Sequence, residues 1–270
     1  MASTSEVGHA KNVAHFATLI TYCTSYGTTY NPSNNAIKLA GLNTLETNAQ
    51  TTLNNVINSV AANTTAINNR IVAFQGIKKL ATRMFSALVA SGATAQQKAN
   101  AKTINRKIQG SRAKLTPTPT PTGGTSGGTT TGTTTTNTSS TEKSSTPPST
   151  QPVPNPISVS QQSYDQLIQH FQAFIALLQT IPSYNPNETD LKIAALNTYL
   201  ANLNSTNAAA ITAHTNLNNT RIARNKILYT PVTGLCDIAE EVKDYLKSVY
   251  GASAPEYKQV RALPFKTRKI

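Results

Sequence analysis

Tyr30-Asn31-Pro32 opens a stretch that runs through Lys38 and Ala40 to Leu42-Asn43-Thr44. At a spacing of 154 positions, Tyr184-Asn185-Pro186 opens another that runs through Lys192 and Ala194 to Leu196-Asn197-Thr198. Between them lies a Thr/Pro/Ser/Gly tract with too few apolar residues to build a core. A chain that states one pattern twice around such a tract divides into two like parts. Its 270 residues suit two small domains and a linker. The expected division is a first helical unit with a basic C-terminal helix at 1–114, a flexible linker at 115–160, and a second helical unit at 161–270.

Spacing identifies the parts as helical. Val13, Phe16, Ile20 and Cys23 precede the first Tyr-Asn-Pro, and Leu167, Phe171, Phe174, Leu178 and Ile181 precede the second. Steps of three and four mark one face of a helix. Both opening helices carry a His-Phe pair, His15-Phe16 and His170-Phe171, so the repeat extends upstream of the tripeptide. Each helix ends before the proline, which pushes its predecessor out of helical conformation. Ser33-Asn34-Asn35 and Asn187-Glu188-Thr189-Asp190 then offer side-chain oxygens to cap the next helix.

That next helix is long. Leu39, Leu42, Ala49, Leu53, Val56, Val60, Ile67, Ile71 and Phe74 keep a mean spacing near 3.5, as do Leu196, Leu200, Leu203, Ile211, His214 and Leu217. No proline interrupts 33–75 or 187–230, which allows about 40 residues and about 60 Å of helix. Thr and Asn are mediocre helix formers, so packing must hold the rod, and Asn63-Thr64-Thr65 is where it would break. A closing helix follows in each copy: Ile77, Leu80, Met84 and Leu88 after Gly76, and Leu235, Ile238, Val242, Leu246 and Val249 after Pro231 and Gly234. Gly92 and Gly251 end these helices. Copy one then enters a basic helical stretch at 96–109, and copy two ends in Tyr257, Val260, Leu263 and Phe265, a strap for the bundle.

The expected fold is therefore all-α. Two homologous short-long-short helical units form an elongated structure like a four-helix bundle, joined by a disordered linker. Two short helices can lie end to end along one long helix, and two units can pair their long helices within the chain or between chains. The linker reads TPTPTPTGGTSGGTTTGTTTTNTSS and then Pro/Ser, part polyproline-like and part flexible coil. Its alternative is a glycosylated, mucin-like stalk.

Charge separates the copies. Residues 1–114 hold 12 Lys/Arg against Glu6 and Glu46, a net +10, whereas 161–270 sum to +3. A polyanion would meet the first copy. Lys98, Lys102, Arg106, Lys107, Arg112 and Lys114 fall within 17 residues, and no acid lies between Glu46 and Glu142. Lys98, Lys102 and Arg106 recur every fourth position, so a helix aligns them as a ridge able to neutralise phosphates. No aromatic residue interleaves these six candidate phosphate contacts, which argues against single-strand stacking.

Reactive types are sparse. His9, His15, His170 and His214 have no metal-binding spacing, and no cysteine joins them. The repeated His15 and His170 suit packing at the end of the opening helix or hydrogen bonding near the Tyr-Asn-Pro turn. Cys23 aligns with Leu177 or Leu178 and Cys236 with Lys78, so both read as buried, small apolar residues. Asp237, Glu240, Glu241 and Asp244 cluster on one exposed-looking helical turn, and the helix dipole accounts for them. There is no phosphate loop and no nucleophile elbow. The expectation is no enzyme, no cofactor, no metal site and no small-molecule substrate. No apolar run approaches the roughly 20 residues that span a bilayer. The first ten residues, MASTSEVGHA, lack the apolar core of a secretory signal, so the expected location is cytoplasmic.

Asn219-Thr220-Arg221-Ile222-Ala223-Arg224-Asn225-Lys226, Val242-Lys243-Asp244-Tyr245, Tyr250-Gly251-Ala252 and Tyr257-Lys258-Gln259-Val260 carry a resemblance. The chain resembles an uncharacterised family of bacterial proteins with two helical copies joined by a variable linker. The resemblance covers both copies, omits the linker and implies the tandem helical organisation, with no activity, ligand or site residue to carry over. Two functions remain. One is a non-catalytic structural or interaction module that contacts itself or another protein through helical faces. The other is nucleic-acid association through the basic helix at 98–114.

Overall fold

The structure, a computed structural model, describes residues 4–111 and 162–267. The linker at 115–160, with the expectation of a coil or stalk, lies outside the described residues. Among the described residues the chain is all-α, without a strand. In order come α1 (Thr4–Ser25), α2 (Leu39–Gln75), α3 (Ile77–Ala90), α4 (Ala95–Gln109), α5 (Tyr164–Gln179), α6 (Ile193–Tyr229), α7 (Leu235–Tyr250) and α8 (Pro255–Arg261).

The repeated tripeptide is a corner with its own internal bond. The buried Tyr30 hydroxyl donates to the Ile37 carbonyl, and the Tyr184 hydroxyl donates to the Leu191 carbonyl at 2.9 Å. Each bond closes seven residues of chain over a short 3-10 turn, Asn35–Ile37 or Thr189–Leu191. That is why tyrosine, and not phenylalanine, stands in both copies. In copy one the capping oxygen serves this turn rather than the long helix, Asn34 Oδ1 accepting the Ala36 N–H at 3.0 Å, whereas Glu188 in copy two makes no side-chain cap. Lys38 and Lys192, both extended, open the long helices by accepting from Leu42 and Leu196 through their carbonyls.

Both long helices run 37 residues, about 55 Å each, without a break at Asn63-Thr64-Thr65. Their threonines turn a liability inward. The hydroxyls of Thr44, Thr47, Thr51 and Thr64 on α2, and of Thr198, Thr206 and Thr215 on α6, donate to the carbonyl four residues back. A seven-residue step runs through the packing seam. On α6 it is Leu196, Leu203, Ala210, Leu217 and Arg224, all buried. On α2 the counterparts are Leu42, Ala49, Val56, Asn63 and Arg70, of which the first three are buried. Four residues expected on the stripes therefore lie outside it: Val60, Ile71, Ile211 and His214 are exposed. A seven-residue seam is narrow, and neighbours about 100° around the helix fall off it.

The described chain forms two compact units, and they cut across the expected boundaries at 114 and 161. Unit 1 takes residues 1–75 and 201–270, and unit 2 takes 76–200. The unit 1 core sets Phe16, Leu19 and Cys23 of α1 and Leu42, Ala49 and Leu53 of α2 against Leu228 of α6 and Leu235, Ala239, Val242 and Leu246 of α7. The start of α2 thus meets the end of α6, so these segments run antiparallel. Arg70 near the end of α2 also bonds Asn207 Oδ1 at 3.2 Å. Unit 2 packs α3 and α4 on α5, with Ile77, Ala81, Met84 and Leu88 and then Ala101 and Ile108 buried alongside Ile168, Phe171, Phe174, Ile175 and Leu178. Each unit is therefore built on the opening helix and corner of one copy and the closing helix of the other. In unit 1 the pairing of copies lies within the chain. Gly76 alone separates α2 from α3, shorter than the two to five residues that fold one helix back beside another. Copy one's closing helix cannot supply copy one's own core.

The tail is a strap, as its apolar residues predict. Val260 is fully buried, and Tyr257, Leu263 and Phe265 pack on the unit 1 core. Buried Asn12 pins it at both amide ends, donating to the Lys266 carbonyl at 2.9 Å and accepting the Lys266 N–H at 3.1 Å. Lys243 adds a second pin, donating to the Leu263 carbonyl at 2.8 Å and lying 4.8 Å from the centre of the Phe265 ring.

Candidate functional site

The basic ridge forms as expected on α4. Thr94 and Gln97 make a reciprocal capping box at its start, and Gly110, at φ 75°, ends it with a left-handed turn. Ala101 and Ile108 face the core. Lys98, Lys102 and Arg106 step about 40° per four residues along one flank of that face. Lys98 and Arg106 are half-buried, and Lys102 and Lys107 are exposed. Among the described residues none of the four pairs with a carboxylate. Lys107 leaves the ridge: its carbonyl accepts from Gln162 at 2.7 Å, and its charge, after burial, helps hold His170 below the usual histidine range. Arg112 and Lys114 lie outside the described residues. Over its whole sequence unit 2 carries 11 Lys/Arg against four acids, a net +7.

The repeated histidines are not at the Tyr-Asn-Pro turn. His15 sits mid-helix and hydrogen-bonds the Pro264 carbonyl at 2.7 Å, with its ring edge-on to Phe265. His170 faces α4 instead. What the copies share is a histidine turned toward whatever follows the closing helix in its unit, and those segments have diverged. The structure also decides the alignment. Val13, Phe16, Leu19, Ile20 and Cys23 match Ile168, Phe171, Phe174, Ile175 and Leu178 in burial, so Cys23 stands for Leu178. Gly27, at φ 57°, supplies the residue that copy two lacks before its corner.

Both thiols and His9 are buried in packing, and Asp237, Glu240 and Glu241 make surface contacts. Burial pushes the Cys23 thiol up to about 11 and the Cys236 thiol to about 12, and both are free and buried. His9 shares a hydrogen bond with the Tyr229 hydroxyl at 2.6 Å inside the unit 1 core. Asp237 Oδ2 accepts the Val232 N–H at 2.8 Å, steadying the one described non-glycine residue with positive φ. Glu240 pairs with Lys243, and Glu241 accepts from Asn34 Nδ2 at 2.6 Å. Among the described residues no three His, Cys, Asp or Glu side chains converge as a metal site.

One site was not legible in the sequence. Buried Ile77, Ala81, Met84 and Leu88 of α3 match Leu235, Ala239, Val242 and Leu246 of α7 at a spacing of 158. In unit 1, α7 meets the first corner: Tyr245 accepts the Asn31 N–H on its hydroxyl at 3.1 Å, and its ring stands edge-on to Tyr30 at 5.4 Å. In unit 2, α3 meets the second corner, with Arg83 paired to Asp190 where Glu241 binds Asn34. The guanidinium holds Asp190 below its ordinary value. Tyr245 and Tyr250 have Ala87 and Gly92 in their places. A hollow of about 490 Å³ results, lined by Arg83, Ala87, Ser91, Asn185, Pro186 and Leu191 among others. No described helix is long and apolar enough to cross a membrane. No protein-family model, curated protein or solved structure matches the chain.

Proposed function

We propose that the chain is a non-catalytic helical structural or protein-interaction module that associates with itself through exposed faces of its long helices. A duplicated observation carries this reading. Ile57 on α2 and Ile211 on α6 are counterparts, and both stand in solvent, 65% and 53% exposed. A lone exposed isoleucine is ordinary. One at the same place in both copies, with Ile71, Val72 and Ile222 also exposed, leaves apolar surface that folding does not use. The burial of both thiols and of His9 supports a role without catalysis. Sedimentation velocity over a concentration series tests the reading. The 28.8 kDa chain should shift toward a dimer as concentration rises, and Ile57→Lys with Ile211→Lys should abolish the shift. A monomer at every concentration that recovers no protein partner refutes it.

A second reading, nucleic-acid association, is favoured by the ridge of Lys98, Lys102 and Arg106. Three phosphate contacts give a log–log salt slope of about −2.7, roughly a 40-fold loss of affinity between about 50 and 200 mM salt. Duplex binding that ignores salt, or never occurs, removes this reading.

A further inference from the structure

We infer that the hollow between α3 and the second Tyr-Asn-Pro corner is a docking site for a tyrosine side chain of a partner protein. The inference rests on reading the chain as a protein-interaction module, and the molecule supplies its own template. In unit 1 the equivalent space holds Tyr245. Its phenol oxygen takes the backbone N–H after the corner tyrosine, and its ring edge meets the corner tyrosine's ring. Unit 2 keeps the receiving half of this arrangement, with Tyr184 buried and bonded to Leu191 as Tyr30 is to Ile37. It lacks the inserted half, because Ala87 replaces Tyr245.

Without a phenol, the Asn185 N–H turns back to the Ser183 carbonyl, 3.1 Å away, in the bent closure of a three-residue turn. A phenol oxygen would restore the bond made in unit 1. Pro186, Leu191, Ala87 and Ala90 give the wall apolar area for a ring, and Ser86, Ser91 and Glu188 give polar atoms for the chain that carries it. The hollow opens outward, so a side chain presented by another polypeptide can enter as Tyr245 enters from α7. Aromatic side chains that insert into such pockets dominate interface energetics.

The test is an amide NMR titration of the full chain with N-acetyl-tyrosinamide and N-acetyl-phenylalaninamide. Saturable shifts are expected at Ala87 and across residues 185–191. The tyrosine probe should bind roughly fivefold tighter, the effect of one hydrogen bond. Ala87→Tyr should abolish the shifts by filling the hollow from within, and Ala87→Leu should do so with less bulk. Three results overturn the inference: no saturable shift, equal affinity for the two probes, or undiminished tyrosinamide binding in folded variants. Saturation by p-cresol but not by the blocked tyrosine would assign the hollow to a free phenol and also overturn it. Sedimentation of the Ile57 and Ile211 variants reads a different surface, so a failed titration and a failed self-association are told apart.

Discussion

Replacing Tyr30 or Tyr184 by phenylalanine removes a single oxygen from each corner and keeps the ring in place. The lost bond joins a buried hydroxyl to a carbonyl at the end of the 3-10 turn, and among the described residues no other donor reaches that carbonyl. Stranding a buried acceptor costs about 1–3 kcal/mol. Unit 1 has about 145 residues, so its unfolding entropy is roughly 300 cal/mol/K near 60 °C, and each kcal/mol moves the midpoint by about 3 °C. Tyr30→Phe should therefore lower the unit 1 transition by about 3–10 °C in scanning calorimetry. Tyr184→Phe should act on unit 2 in the same direction, and the two losses should add because the corners share no residue. An alkaline arm sharpens the test. Burial raises the Tyr184 hydroxyl to about 12, against about 10 in an unfolded chain. The folded state thus holds this proton more tightly, and its contribution is complete below about pH 10 and lost as pH rises toward 12. Tyr184→Phe should flatten part of that arm of the denaturation profile, leaving the parallel contributions of Tyr26, Tyr30, Tyr199 and the two thiols. A midpoint shift within about 1 °C for both variants, with an unchanged alkaline slope, would refute the role given to these hydroxyls.

Asn12→Ala should release the strap, costing about 1–3 kcal/mol and exposing the Lys266 amide to hydrogen exchange; protection as in the parent chain would contradict the pinning. Cys23 and Cys236 should resist a disulfide reagent at pH 8 until the chain unfolds, and labelling of native protein within minutes would count against their burial. Fragments 1–111 and 162–270, made separately, should each lack cooperative melting and regain it on mixing. Independent, cooperative folding of either fragment would contradict the shared cores.

The corner, the helix order and the basic ridge were legible because each rests on local rules. Four-residue spacing makes a ridge and glycine ends a helix; the corner prolines, by contrast, do not set the helix ends, since α1 stops at Ser25 and α5 at Gln179, well before Asn31 and Asn185. The exchange of closing helices was not legible, since Ile77-Ala81-Met84-Leu88 and Leu235-Ala239-Val242-Leu246 present equivalent stripes and either could dock in either core. The clue lay in the single residue Gly76, whose shortness forbids a hairpin. Ile211 and His214 were assigned to the apolar face because a stripe of mean spacing 3.5 does not say which flank of a narrow seam is covered. The hollow stayed hidden for another reason. Ala87 and Tyr245 align at a spacing of 158 and the corners at 154, so no single register of the repeat sets them side by side.

The exchange of closing helices also bears on what a single copy could do alone. One copy alone has an opening helix, a corner and a long helix, but the closing helix its core requires belongs to the other copy. A solitary copy could complete that core only by borrowing from a second molecule, which would borrow in return. A single copy of this design would therefore fold only as a dimer with swapped helices. Joining two such genes would turn a concentration-dependent partnership into one guaranteed by the covalent chain. Each copy, once assured of its partner, could then drift separately in charge, in tail and in the contents of its corner.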